Sequence, residues 1–125
     1  MKKPTRVNHP PPVELAADGS GPVEGWGRYA AAVAAELAAA GRAPAGLHGT
    51  LTSDLPAGAG LSSSAALEVV LALSLCAAAD FALPPLELAL LCQRAEQRAV
   101  GVPSGIMDQA ASLLGEEDCA VLIDT

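Results

Sequence analysis

The sequence predicts an α/β (α+β) domain, because segments with strand character alternate with segments of helical periodicity. Residues 46–54, GLHGTLTSD, place alternate side chains on two faces, which is typical of a half-buried strand. Residues 119–124, CAVLID, have the apolar character of a buried strand. Three segments with helical patterns lie between these two strands, and the resulting order of strand, three helices and strand indicates the mixed class.

A helix is predicted before the first strand, from about residue 22 or 23 to Ala40. Gly41 follows as its C-terminal stop. Four large side chains recur at helical spacing on one face, which indicates core contacts: Trp26, Tyr29, Val33 and Leu37.

Three more helices are predicted after the first strand. The first begins at Ser63 or Ser64, ends near residue 79 and is apolar on nearly all sides, so it should be buried. The next covers about 84–100, because proline suits a helix start and glycine 101 breaks the pattern. A short helix over about 105–114 ends at glycine 115.

The chain divides at about residue 22. Residues 1–22 are predicted to be disordered or loosely attached, because they contain three consecutive prolines and the turn-forming stretch DGSGP. Residues 23–125 contain all of the predicted helices and strands. We expect them to form one folded unit.

Composition excludes several classes of protein. The net charge of -7 and the pI of about 4.5 disfavour binding to nucleic acid or to an anionic membrane. The longest apolar run is too short to cross a bilayer and no leader peptide is recognisable, so the expected location is cytoplasmic. The three cysteines have no metal-like spacing, and Cys76 and Cys92 lie in apolar helical patterns, which predicts buried thiols.

The stretch LPAGAGLSSSAA, residues 55–66, joins a glycine-rich loop to the start of a helix. Glycines let the backbone approach a ligand, and the free N–H groups of a helix N-terminus attract anions. Serine hydroxyls can also bind a hard cation. A phosphate site is therefore one interpretation, and an ordinary serine-capped helix start is the other. The stretch is not a Walker A loop, because that motif requires a lysine before its Ser or Thr and no lysine follows Lys3.

A second cluster of polar residues lies in RAEQRAVGVPSGIMDQ, residues 94–109. Glu96 is near the end of one predicted helix, and Asp108 is in the first turns of the next. One carboxylate could hold Mg²⁺ while the other orients or deprotonates a hydroxyl. Alternatively, Glu96 is a solvated charge beside arginines and Asp108 only complements the helix dipole. Ser104 is predicted to be the N-cap of the second helix.

These motifs resemble the GHMP kinases. LPAGAGLSSSAALE is similar to their phosphate loop, and its triple serine is most similar to galactokinases. AEQRAVGVPSGIMDQAASLLG resembles the galactokinase segment with the catalytic aspartate, and GWGRYAAAVAAEL and CAVLIDT are also similar. The resemblance implies that residues 23–125 are a partial GHMP kinase N-terminal domain, with a fold like domain 2 of ribosomal protein S5, and that the remainder of a kinase chain is missing.

The resemblance also implies roles for individual residues. Ser64 and Glu96 match the ligands of Mg²⁺, and Asp108 matches the aspartate that binds and activates the 1-hydroxyl of galactose. The loop that wraps the phosphates of ATP corresponds to Pro56, Gly58, Ala59, Gly60, Leu61, Ser62, Ser63 and Ser64. The implied reaction transfers the γ-phosphoryl group of Mg-ATP to α-D-galactose, giving galactose 1-phosphate and ADP.

The sequence departs from the family where galactokinases carry a motif like GRVNLIGEHTDY, which grips the sugar. Only TRVN, at residues 5–8, resembles a fragment of it here, and we treat that match as coincidental. We therefore expect the isolated chain to be inactive. Two alternatives remain: another GHMP kinase acting on N-acetylgalactosamine, arabinose or mevalonate, and a non-catalytic protein or remnant that binds ATP and sugar.

Overall fold

The structure, a computed structural model, describes residues 12–56 and 60–124, and its regular elements there are four helices. In chain order they are α1 (Gly27–Ala39), α2 (Ser63–Ala78), α3 (Pro85–Val100) and α4 (Met107–Leu114). Helix α1 packs against α2 and α3, α2 and α3 pack against each other, and α4 packs against both of them. None of the helices in this described part is long and apolar enough to cross a membrane.

Helix α1 begins later than the sequence pattern predicts. Gly25 adopts a left-handed backbone with φ of 62°, which no helix can include, so the helix starts after Trp26. Its predicted end is confirmed, since Ala40 caps it and Gly41 follows with φ of 104°. Val33 and Leu37 are fully buried on its inner face, as the spacing predicts.

The other three helices follow their predicted bounds closely. Pro85 occupies the first turn of α3, where its missing N–H costs nothing. Gly101 ends α3 in the left-handed conformation, with φ of 71°. Helix α4 begins two residues later than predicted, with Ile106 at its N-cap position.

The core lies where α1, α2 and α3 meet, and it is built largely from small side chains. Cys76 and Cys92 belong to it, which confirms the prediction that these thiols are buried. Burial raises the pKa of the Cys92 thiol to about 12, so the thiol stays protonated and unreactive. The cluster of buried residues consists of Ala32, Val33, Leu37, Val69, Ala72, Cys76, Leu88, Leu91, Cys92 and Ala95.

The two predicted strands are not formed in the part of the chain that the structure describes. Residues 46–54 and 119–124 have no regular secondary structure, and their apolar side chains face solvent, Leu47 being 53% exposed and Leu122 96% exposed. A strand needs a hydrogen-bonded neighbour, and an isolated one is not stable in water. The α/β (α+β) class is therefore not confirmed, and the regular elements in the described part of the domain are all helices.

Residues 12–22 lie against the helices as an irregular segment. A Cβ atom on Gly19 would clash with the backbone of Ala31 and lie 2.7 Å from the nitrogen of Ala35, so this segment approaches α1 closely. The buried Arg42 guanidinium donates to the carbonyl oxygens of Ala17, Ala45 and Leu75, the last at 2.7 Å. Arg42 therefore ties the segment to the last turn of α2. The division of the chain at residue 22 stays a prediction.

Candidate functional site

The N-terminus of α2 carries the described part of the predicted phosphate loop. Gly60 and Ser62 both have left-handed backbones, with φ of 73° and 55°, so the chain turns sharply into the helix. Ser62 is the N-cap, but its side chain makes no capping hydrogen bond. The first N–H groups of α2 are therefore available to an anion.

The structure places the predicted loop residues unevenly. Gly58 and Ala59 lie outside the described residues. Ser62 and Ser64 are half-buried, whereas Pro56, Gly60, Leu61 and Ser63 are exposed. Among the predicted loop residues that the structure describes, only Ser64 has a hydroxyl that donates to a side chain on another helix.

Ser64 and Glu96, the two predicted metal ligands, are in direct contact. The Ser64 hydroxyl donates to Glu96 Oε1 at 2.8 Å, which joins the first turn of α2 to the last turns of α3. A hydroxyl and a carboxylate are hard oxygen donors, and Mg²⁺ typically uses one or two such protein ligands together with phosphate oxygens and water. The donor set therefore fits Mg²⁺, and Ser64 and Glu96 are the residues that would hold it. No group of three or more acidic, cysteine or histidine side chains is arranged to hold a metal within residues 12–56 and 60–124.

The second oxygen of Glu96 is held by two further donors. Ser104 Oγ donates to Glu96 Oε2 at 3.2 Å, and Gln109 Nε2 donates to the same atom at 2.8 Å. The sequence predicted Ser104 as the N-cap of α4, but this prediction is wrong because the helix starts three residues later, at Met107. The Ser104 hydroxyl faces back to α3 instead. Both oxygens of Glu96 therefore accept hydrogen bonds, which restricts the carboxylate to one orientation.

The turn between α3 and α4 is fixed by two amides on one face of α3. Gln93 and Gln97 donate to the Ser104 carbonyl oxygen at 2.8 and 3.0 Å. They are four residues apart and so lie on adjacent turns of the same face. This arrangement sets the position of Ser104 and, through it, one contact of Glu96.

The alternative that Glu96 is a solvated partner of nearby arginines is not what the structure shows. Arg94 and Arg98 face α1, where both approach the carboxylate of Glu36, at 3.1 and 3.9 Å. Glu96 is half-buried and its contacts in the described part of the chain are hydroxyl and amide donors. Among the described residues, Glu96 is therefore not paired with an arginine.

Asp108 lies in the first turn of α4 and is half-buried. Its carboxylate makes no side-chain hydrogen bond to any residue that the structure describes. Its neighbour Gln109 contacts Glu96, so the predicted base and the predicted metal ligand lie at the same junction of α3 and α4.

Sequence reasoning missed Glu68, which is fully buried in α2 beside this site. Gln109 Nε2 donates to Glu68 Oε2 at 3.1 Å. Burial raises the pKa of Glu68 to about 7; the hydrogen bond from Gln109 opposes this, and the charges of Glu96 and Asp108 add to it. The available signal was a lone carboxylate in an otherwise apolar helix, four residues after Ser64 and so on the same face.

A surface cavity of about 270 Å³ lies away from these residues. It is bounded by the segment at Gly19 and Gly21, by α1 and by the end of α3, where Arg28 and Arg98 line it. None of the predicted site residues that the structure describes lines this cavity. The polar cluster at the junction of α2, α3 and α4 is therefore separate from this cavity.

The chain belongs to the GHMP kinases. The family described as the GHMP kinases N terminal domain matches residues 28–116, which include α2 to α4 and all of α1 except its first residue. The matched range contains Ser64, Glu96 and Asp108, so the cluster lies inside the family domain.

Several galactokinases are similar to this chain. That of Streptomyces coelicolor is 48% identical over 116 residues, which cover 91% of this chain and 30% of the relative. The galactokinase of Pyrococcus furiosus is 43% identical over 80% of this chain and 28% of its own length. That of Roseiflexus sp. is 46% identical over 79% of this chain and 25% of its own length. The chain thus spans less than a third of the length of these curated relatives.

Proposed function

We propose that this chain provides the nucleotide- and metal-binding part of a galactokinase. The proposed reaction transfers the γ-phosphoryl group of ATP to the 1-hydroxyl of α-D-galactose and yields galactose 1-phosphate and ADP. Three relatives named galactokinase support the substrate. The observation that carries the proposal is the 2.8 Å contact of Ser64 with Glu96, because it joins two motifs that are 32 residues apart. ATP as the phosphoryl donor favours a cytoplasmic location.

Each group of residues has a separate role in the proposed reaction. The loop before α2 and the first N–H groups of that helix bind the phosphates, and Ser64 with Glu96 holds Mg²⁺. When bound, Mg²⁺ neutralises negative charge on the phosphates. Asp108 orients the galactose hydroxyl and accepts its proton as the oxygen attacks phosphorus. Catalysis then comes largely from positioning and charge stabilisation.

The role of Asp108 can be tested in a chimera in which residues 28–116 replace the matching part of the Streptomyces coelicolor galactokinase. We expect galactose-dependent ADP release in the chimera and a loss of about 10²–10⁴-fold in kcat for Asp108→Asn, because a general base is removed. The control is Ser112→Ala, which changes an exposed side chain on the same helix and should leave kcat unchanged.

Two outcomes would contradict the proposal. If the Asp108→Asn chimera folds, binds ATP and turns over as fast as the unsubstituted chimera, the aspartate has no part in the mechanism. A folded chimera that binds Mg-ATP but releases no ADP in the presence of galactose would overturn the proposal that residues 28–116 serve a galactokinase. Circular dichroism and ATP binding identify chimeras that have not folded.

A further inference from the structure

A chain of buried polar groups runs behind the proposed metal ligand. The amide nitrogen of Gln109 contacts Glu68 Oε2 at 3.1 Å and Glu96 Oε2 at 2.8 Å. An amide nitrogen has two hydrogens, so it can donate to both carboxyl groups at once. Gln109 and Glu68 are fully buried and Glu96 is half-buried.

Two acceptor atoms among these buried polar groups have no hydrogen-bond donor in the described part of the protein. Glu68 Oε1 and Gln109 Oε1 are buried, and neither has a hydrogen-bond partner among the residues that the structure describes. A buried polar atom without a partner costs about 1–3 kcal/mol, and a buried ionised carboxylate costs more. Both atoms belong to the pair already joined through Gln109 Nε2 and Glu68 Oε2.

A single proton on Glu68 would provide the missing hydrogen bond for both atoms. A neutral carboxyl group has one O–H donor and one carbonyl acceptor, and a primary amide has a matching acceptor and donor. If Oε1 of Glu68 carries the proton, it can donate to Oε1 of Gln109 while Gln109 Nε2 donates to Oε2 of Glu68. The two side chains then form a paired acid–amide hydrogen bond, and the second hydrogen of Nε2 remains directed to Glu96.

We propose that Gln109 is a positioning residue for the metal ligand Glu96, and that a neutral Glu68 holds its amide in place through this paired hydrogen bond. The part concerning Mg²⁺ rests on the proposed function, whereas the neutral acid–amide pair does not. Gln109 orients the Glu96 carboxylate from the side opposite to Ser64, whose hydroxyl occupies the other carboxylate oxygen.

The charges around Glu68 favour the neutral form. Glu96 on α3 and Asp108 on α4 are acidic, and Cys92 on α3 is a buried thiol whose own pKa is raised in part by Glu68. No cation in the described part of the chain contributes to the shift in the pKa of Glu68, which burial raises to about 7. A third negative charge beside Glu96 and Asp108 would be repelled by both.

The protonation of Glu68 can be measured on the 125-residue chain by infrared spectroscopy at about pH 6, below the raised pKa of this group and above that of an ordinary carboxyl group. We expect the carbonyl band of a protonated carboxyl group in the wild type and its loss in Glu68→Gln. The control is Glu117→Gln, which changes an exposed carboxylate and should leave the band unchanged. A wild-type spectrum without the band, or a band that survives in Glu68→Gln, would overturn the neutral pair.

The positioning role of Gln109 is tested by titration calorimetry of ATP into the 125-residue chain and its variants, with and without Mg²⁺. Glu68→Gln reproduces the donor and acceptor of the neutral acid, so its affinity for Mg-ATP should stay within about twofold of wild type. Gln109→Leu removes the amide and should weaken Mg-ATP binding by about 10–100-fold, as loss of a residue behind a metal ligand does. Binding of ATP without Mg²⁺ should change little in either variant.

The outcomes separate the two proposals. A folded Gln109→Leu protein with wild-type affinity for Mg-ATP would overturn the positioning role alone. A wild-type chain that binds ATP equally with and without Mg²⁺ would overturn the metal site of the proposed function, and with it the role of Gln109 towards Glu96. The infrared result would then still decide whether Glu68 and Gln109 form the neutral pair. Gln109→Met keeps the approximate size of the side chain, removes the amide and replaces Gln109→Leu if that variant does not fold.

Discussion

At the scale of single residues, the candidate site depends on hydrogen bonds that fix one carboxylate. Glu96 accepts from Ser64, Ser104 and Gln109, and these donors come from α2, from the turn before α4 and from α4 itself. Hydrogen bonds to an ionised acceptor are stronger than neutral ones, about 1.5–3 kcal/mol against about 1. The site is therefore sensitive to the packing of three helices as well as to its own side chains.

The raised pKa of Glu68 predicts how stability depends on pH. Between pH 4.5 and 7 folded Glu68 retains a proton that the unfolded chain releases, so the free energy of unfolding falls as pH rises through this window. The contribution is fully present below pH 4.5, is lost by about pH 7 and amounts to about 3 kcal/mol. In Glu68→Gln this pH-dependent contribution to the free energy of unfolding should vanish, because glutamine does not titrate.

Urea unfolding of the wild type and of Glu68→Gln from about pH 4 to about pH 8 checks this prediction, because this range spans the whole window. The difference between the two proteins isolates Glu68, since groups such as Asp18, whose pKa is lowered by its hydrogen bonds to Ser20, contribute equally to both. A constant difference across the whole range would contradict the prediction. Glu117→Gln should run parallel to the wild type.

At the scale of elements, two contacts that hold the irregular segment to the helices could not be foreseen from local patterns. Arg42 follows the glycine that ends α1, a position where a solvated charge is the usual expectation, yet it is buried and donates to three carbonyl groups. Its donation to Leu75 satisfies one of the last carbonyls of α2. The partners Ala17 and Leu75 are 25 and 33 residues away, beyond the reach of a local pattern.

The approach of the segment to α1 predicts a difference between two glycines. Gly19 and Gly21 both have left-handed backbones, with φ of 72° and 91°, but only a Cβ at Gly19 would meet the backbone of α1. Gly21→Ala should cost about 1 kcal/mol for its conformation. Gly19→Ala should cost about 3 kcal/mol or more, because strain and a steric clash add. Chemical denaturation of both variants measures the difference, and equal losses would show that the segment does not pack on α1.

At the scale of the whole molecule, the helices leave apolar surface uncovered. Val70 and Leu73 on α2, Leu86 on α3 and Met107 on α4 are all exposed, and the two segments predicted to be strands are exposed as well. Patches of this kind are found where a further element or partner packs. The chain also spans less than a third of the galactokinases it resembles.

We therefore predict that the purified 125-residue chain makes no detectable galactose 1-phosphate. Phosphoryl transfer requires the acceptor hydroxyl to be held about 3 Å from phosphorus. In the described part of the chain, Asp108 does not line the 270 Å³ cavity, and the sequence lacks the sugar-gripping motif of the family. A coupled assay with Mg-ATP and galactose, with an intact galactokinase as positive control, checks this. Sustained turnover by the purified chain would contradict it.

The sequence alone determined the helices of this protein and the main residues of its candidate site. Helix α3 begins at Pro85 and ends before Gly101 because of the backbone preferences of these two residues. The periodic apolar residues of α1 identify its buried face. Ser64, Glu96 and Asp108 were selected because the motifs that carry them, and the order of those motifs, resemble the GHMP kinases, whereas the local patterns alone left an ordinary helix start and a solvated charge as alternatives.

Only the tertiary structure decided which side chains meet. The environment of Glu68 depends on burial against α4, and the partner of Ser104 depends on how α4 turns back towards α3. The strands were predicted from alternation at residues 46–54 and from apolar character at residues 119–124. A strand exists only when a neighbour supplies its hydrogen bonds, and no described segment supplies them. Local patterns specify backbone preference and the burial of one face, whereas pairing and the pKa of a buried group depend on contacts between residues far apart in sequence.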